Sequence, residues 1–175
     1  MLRLAAFFLL CLTWLAMAQP AHLVASRDGH PDFEISGTDV ICGSQKLTAQ
    51  VEKDRLKLFS GAQVVLKIKR KEEGLEMEDA AGTRILRVRL RDNGYKVLDA
   101  QDHDLCNLKY KGAELKADSG RLAAAGGGLD WSENGKVRAH LEGSRDLKVG
   151  LALALPGLTA TQRAALTLFA SQLGI

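Results

Sequence analysis

Leu75-Glu76-Met77-Glu78-Asp79-Ala80, followed by Ile85-Leu86-Arg87-Val88-Arg89-Leu90, is the stretch that decides the fold. Apolar residues recur at every second position in both runs, and a small polar turn separates them, which is the pattern of a β-hairpin with one buried face. About twenty residues further on, Tyr95-Lys96-Val97-Leu98-Asp99-Ala100 and Leu105-Cys106-Asn107-Leu108-Lys109-Tyr110 repeat the unit. A looser copy lies upstream, in Leu56-Lys57-Leu58-Phe59 and Val65-Leu66-Lys67-Ile68-Lys69. Stacked units of this kind predict a mainly β chain, an antiparallel hairpin meander that closes into a barrel or a strongly curved sheet.

Upstream of the repeats the period fades. Residues 19–33 carry two prolines and a glycine without sustained alternation, which predicts a flexible leader, with a single domain over 34–175. Asp92-Asn93-Gly94 and Asn134-Gly135 are expected hairpin turns, because Asn-Gly accepts the positive φ of tight turns. Ala123-Ala124-Ala125-Gly126-Gly127-Gly128 is expected to be a mobile loop, since glycine loses the most entropy on ordering.

The chain changes character near its end. Large residues at 147, 149, 151, 153 and 155 alternate with small or flexible ones, which favours a strand, although Ala and Leu are strong helix formers and the helical alternative stays open. Thr159-Ala160-Thr161-Gln162 has capping-box spacing, and it predicts a helix over 159–173. Ala164, Ala165, Leu166, Leu168, Phe169, Ala170 and Leu173 cover most of that helix's circumference, so it is expected to pack inside the sheet or against it.

At the other end, Arg3 precedes an apolar run from Leu4 to Met17 and the small-residue pattern Ala16-Met17-Ala18. This predicts a signal peptide over residues 1–18, cleaved after Ala18, and a periplasmic or secreted protein. The alternative, an uncleaved anchor, is shorter than the roughly 20 residues that span a bilayer. Cys11 lacks the small residues that precede a lipid-modified cysteine. Cleavage lowers the formal charge from +3 to +2, a near balance that argues against a dedicated nucleic-acid binder. It also leaves two cysteines, Cys42 and Cys106, for which a disulfide is expected in an oxidising compartment, with two separate buried thiols as the alternative.

A hairpin meander with Asp79-Ala80 and Asp99-Ala100 at its turns, a terminal Leu151-Ala152-Leu153-Ala154-Leu155 run and a hydrophobic helix around Ala164 to Phe169 resembles the tubby C-terminal-like group, which includes the LURP-one and phospholipid scramblase-like proteins. There a closed β-barrel is threaded by such a helix. The resemblance spans roughly residues 35–175 and implies a binding or scaffold role. It carries over no site residue, since the chain has no compact lysine and arginine motif matching the lipid-headgroup residues of that group, is short for the full barrel and reads as exported.

Strand parity supplies the main candidate site. Leu66, Ile68, Leu86, Val88, Leu90, Leu108 and Tyr110 are expected to point inward, and Lys67, Lys69, Arg87, Arg89, Lys109 and Lys111 outward with Lys71 and Arg91. Three second strands thereby share a basic face that can take an anionic lipid, a polysaccharide or another envelope protein. The competing expectation is a solvated face on which Glu76 and Glu78 pair with Arg87, Arg89 or Arg91.

Enzymatic signals are sparse. Asp102-His103-Asp104 precedes Cys106 in a turn, so these side chains need not converge on a metal. Gly126-Gly127-Gly128 lacks the Lys and Ser/Thr of a phosphate-binding loop, no serine sits in a nucleophile elbow, and no cofactor is implied. Two classes therefore stand: a non-enzymatic binding domain, or a small hydrolase or metal-dependent enzyme assembled from non-adjacent residues such as His103, Asp104 and His140.

Overall fold

A computed structural model describes residues 22–175, so the signal-peptide expectation lies outside the described residues. Fourteen strands run in order: β1 (His22–Arg27), β2 (His30–Ser36), β3 (Asp39–Cys42), β4 (Gln45–Val51), β5 (Arg55–Ser60), β6 (Gln63–Lys71), β7 (Gly74–Asp79), β8 (Arg84–Arg91), β9 (Gly94–Asp99), β10 (Asp104–Lys111), β11 (Glu114–Ala117), β12 (Gly120–Ala125), β13 (Gly128–Glu133) and β14 (Lys136–Glu142). Each strand pairs antiparallel with the next, and β1 pairs with β14, so the sheet is a closed barrel without an edge. A 3-10 helix, Val149–Ala154, and α1, Ala160–Leu173, follow.

The period-two alternation turns one row of side chains inward. Leu56, Leu58, Leu66, Ile68, Met77, Leu86, Val88, Val97, Leu108, Leu115, Leu122 and Trp131 are all buried. Charged residues such as Lys57, Lys67, Arg87, Lys96 and Lys109 occupy outward positions between them. This is the inverse of a membrane-spanning barrel, whose outer band is apolar.

The C-terminal segments fill the lumen. In a meander the hairpins alternate between two rims; β1–β2 turns at what we call the upper rim, and β14 leaves at the lower. Arg27, at the end of β1, donates to Leu153 O at 3.3 Å, which carries the 3-10 helix from the lower rim to the upper. The chain reverses at Pro156-Gly157, where Gly157 has φ 74°. Helix α1 then returns, and Arg70 near the lower end of β6 donates to Gly174 O at 3.0 Å and to Leu173 O. Eight consecutive residues of α1, Arg163 to Ala170, are buried. That is more than two turns, so every side of the helix is covered. Thr159 caps it as expected: Thr159 Oγ1 accepts from Gln162 N at 3.3 Å, and Gln162 Oε1 accepts from Thr159 N at 2.9 Å.

One charged pair crosses this core. Arg163 and Asp32 on β2 are 8% and 9% exposed. Arg163 Nε and Nη2 donate to the two Asp32 carboxylate oxygens, both at 2.6 Å, and Nη1 donates to Leu158 O. The fork satisfies both oxygens and fixes the start of α1 against the wall.

Several expectations are corrected. Residues 22–33 are no flexible leader: β1 and most of β2 lie there, and β1 closes the ring. Ala123 to Gly128 is no mobile loop. The alanines end β12 and ladder with β11 and β13, while Gly126-Gly127 turn the hairpin, so flanking strands supply the order that composition lacks. Residues 149–154 form a 3-10 helix where alternation favoured a strand, because a closed ring leaves no edge for another strand. Leu90 keeps the inward parity, opposite the buried Tyr95, but lies at the lower rim and is 40% exposed. Cys42 and Cys106 are free thiols. They stand on β3 and β10, with six strands between them in either direction around the ring, so no disulfide geometry is within reach.

Candidate functional site

Lys67 and Lys69, Arg87 and Arg89, and Lys109 and Lys111 all stand on the outer wall, but β6, β8 and β10 are not neighbours. The first strands of each repeat, β7 and β9, lie between them and decide the local charge.

Between β6 and β8 that charge is cancelled. Glu76 on β7 sits directly opposite Lys69 on one side and Arg87 on the other. Arg87 Nε donates to Glu76 Oε1 at 2.7 Å, and Lys71 Nζ lies 3.1 Å from Oε2. Lys69 Nζ lies 2.8 Å from Glu78 Oε1, and Lys67 Nζ donates to Ala80 O at 3.1 Å. Burial pushes the Glu76 carboxyl up, yet Arg87 and Lys71 outweigh it and hold the group below its ordinary range. Asp102, in the β9–β10 turn, adds ion pairs to Arg84 at 2.9 Å and Arg87 at 3.8 Å. Half of the expected basic face is thus the solvated, paired alternative.

From Arg89 onward the balance reverses. Arg89 is directly opposite Lys96 on β9, and only Lys96 has a carboxylate, Asp104, at 2.8 Å. Arg91 and Lys109 both face Gly94, which adds no side chain between them. Lys109 is opposite Lys116 on β11, and Lys116 is opposite Arg121 on β12. Like charges directly across a ladder repel. Glu114 answers the last two: it lies 3.0 Å from Lys116 Nζ and 2.9 Å from Arg121 Nη1, and Lys116, then Arg121, hold its carboxyl below the usual range. Among the described residues, Arg89, Arg91, Lys109 and Lys111 have no carboxylate within ion-pair distance.

The basic row therefore runs laterally, Arg91–Lys109–Lys116–Arg121, across β8 to β12. Lys116 and Arg121 escaped the sequence reading because β11 and β12 fall outside the clear repeats. Their signal was the alternation in Glu114-Leu115-Lys116 and Arg121-Leu122. Beside the row, at the lower rim, a depression of about 700 Å³ is lined by Glu72, Glu73, Arg91, Asn93, Asn107 and Lys109 among others.

The residues of the enzymatic alternative do not converge. His103 Nδ1 lies 3.2 Å from Asp99 Oδ2 in the β9–β10 turn, and Asp104 pairs with Lys96. His140 is four strands away on β14, with Nδ1 2.6 Å from Asp130 Oδ1. Register places Ser26 opposite His140, but among the described residues Ser26 makes no hydrogen bond to it. Burial pushes the Cys106 thiol up to about 11 and raises that of Cys42, which keeps both protonated at neutral pH. Among the described residues the strongest concentration of uncompensated charge is cationic, and it sits on a closed, internally filled barrel; comparison with family models, curated proteins and solved structures finds no match to this chain.

Proposed function

We propose that the protein is an exported, non-enzymatic binding or scaffold domain that contacts an anionic component of the cell envelope through the outer wall of β8 to β12. The observation that carries this proposal is the lateral run of like charges Lys109–Lys116–Arg121, with Arg89 and Arg91 beside it and Glu114 as the carboxylate that pairs with Lys116 and Arg121. Repulsion on this scale is relieved by a ligand that brings negative charge. The filled lumen supports an external contact over a ligand carried inside, and the separate engagement of His103 and His140 supports binding over catalysis. A tubby-like relationship fits the same proposal at the level of a barrel threaded by a helix, and export rests on the residue 1–18 pattern.

Retention of the purified protein on anionic vesicles or on an anionic polysaccharide at low salt tests it. Reversing Arg89 and Lys109 to Glu should abolish retention, and added salt should do the same to the wild type, because exposed charges are screened over roughly 8 Å at physiological ionic strength. Unchanged retention with an intact fold would overturn the proposal.

A further inference from the structure

Resting on that assignment of the basic wall, we infer that its ligand is a flexible, linear acidic polysaccharide lying across β8 to β12 along Arg91–Lys109–Lys116–Arg121. Three observations point to this chemistry. The first is curvature. A ring of fourteen strands turns a full circle, so the four strand steps from β8 to β12 swing the outward direction by about 100°. A flat bilayer touches such a wall along one or two strands, whereas a flexible chain follows all five.

The second is spacing. Neighbouring strands lie about 4.8 Å apart, which sets Lys109, Lys116 and Arg121 at single steps and Arg91 two steps from Lys109 across Gly94. Single steps of that size are comparable to the advance of one sugar unit along a polysaccharide, so successive acidic sugars can meet successive cations. The third is the company the row keeps. Asn107 is exposed on β10, and Ser132 stands opposite Arg121, so groups that hydrogen-bond hydroxyls flank the cations. The aromatic residues of these strands turn inward: Tyr95 is buried, and Tyr110 is half-buried with its hydroxyl 2.9 Å from that of Tyr95; on the adjoining β13, Trp131 is buried too. A binder of single-stranded nucleic acid would offer such rings to the bases on its outer face.

The experiment measures binding of the full mature protein at low salt to polygalacturonate and dextran sulfate, with neutral dextran, oligothymidylate and equimolar phosphatidylglycerol–phosphatidylcholine vesicles beside them. The two acidic polymers should bind, whether through carboxylate or sulfate, and the other three should not. A Lys109→Glu, Lys116→Glu, Arg121→Glu protein should bind the polymers at least about tenfold more weakly, whereas Glu114→Gln should bind them a few-fold more tightly, because it removes the local counter-charge. Lys67→Glu with Lys69→Glu should leave binding unchanged. Melting temperatures verify that each variant is folded. Equal or tighter binding to vesicles or oligothymidylate, or a triple reversal without effect, overturns the inference. Binding to vesicles without the polymers sinks the polysaccharide alone and leaves the anionic contact standing; binding to neither sinks both.

Discussion

Arg163 and Arg121 each hold a carboxylate, one inside the barrel and one on its wall. Arg163 forks onto Asp32 with both groups almost fully buried, while Arg121 meets Glu114 with side-chain exposures of 58% and 25%. Solvent makes the difference. A buried pair locks position because neither partner can be left alone, whereas an exposed pair contributes little to stability and instead sets local charge. The same residue types therefore fasten the plug on one side of the sheet and tune the surface on the other.

The sharpest way to break this contrast is Arg163→Met, which strands Asp32 and should destabilise the fold by about 3–5 kcal/mol in a urea melt. Adding Asp32→Leu should recover much of the loss, since an apolar pair of similar volume can replace a buried ion pair. A single variant as stable as the wild type would mean that the start of α1 is solvated. Next comes Leu166→Ala, at the fully buried centre of α1, with an expected cost of about 2–5 kcal/mol. A melt unchanged by Leu166→Ala would place that side chain outside the lumen.

Glu76 sharpens the comparison from the outer wall, being the outward carboxylate that is only 8% exposed. Its folded pKa lies below the ordinary carboxylate range, so its contribution is complete above the unfolded value, about 4.3, and disappears as pH falls through the folded one. Melting temperatures between neutral and strongly acid pH should therefore drop less for Glu76→Gln than for the wild type. Parallel curves would assign acid sensitivity to other carboxylates. The smallest effect is expected at Arg121→Ala, about 0.2–1 kcal/mol, with the change appearing in anion binding instead. A larger stability loss would give Arg121 the structural role that Arg163 has.

The repeats were legible because they report real geometry. Gly74 and Gly94, twenty residues apart, take φ of 139° and 141° at the starts of β7 and β9. A Cβ on either would lie about 2 Å from a carbonyl oxygen of the next strand, Val88 O or Leu108 O. Gly94 is thus required by close backbone approach, whereas Asn134-Gly135 is the positive-φ turn that Asn-Gly predicts, at 50° and 77°. Inward and outward parity, the capping box at Thr159 and the buried helix were equally readable, since each depends on spacing along the chain.

Ring closure was not readable in this way. Pairing of Ala25 with Leu141 joins segments more than a hundred residues apart, and it gives residues 22–33 an order that their Pro and Gly content hides. For the site, the alternation identified which cations face outward but not which strands flank them. Glu76 neutralises Arg87, and Gly94 leaves Arg91 and Lys109 facing the same gap, only through lateral register.

The helical hairpin that fills the lumen follows all fourteen strands in the sequence, which has a consequence during synthesis. Until residues 149–173 have left the ribosome, the inner rows of Leu, Ile and Val have nothing to cover them, and the β1–β14 seam must wait for its last strand. Nascent chains therefore expose a broad apolar sheet for most of their translation, a state prone to aggregate. Folding of this barrel is accordingly a late event that completes from the C-terminal side, and it makes the growing chain a natural client for chaperones that shield apolar surfaces.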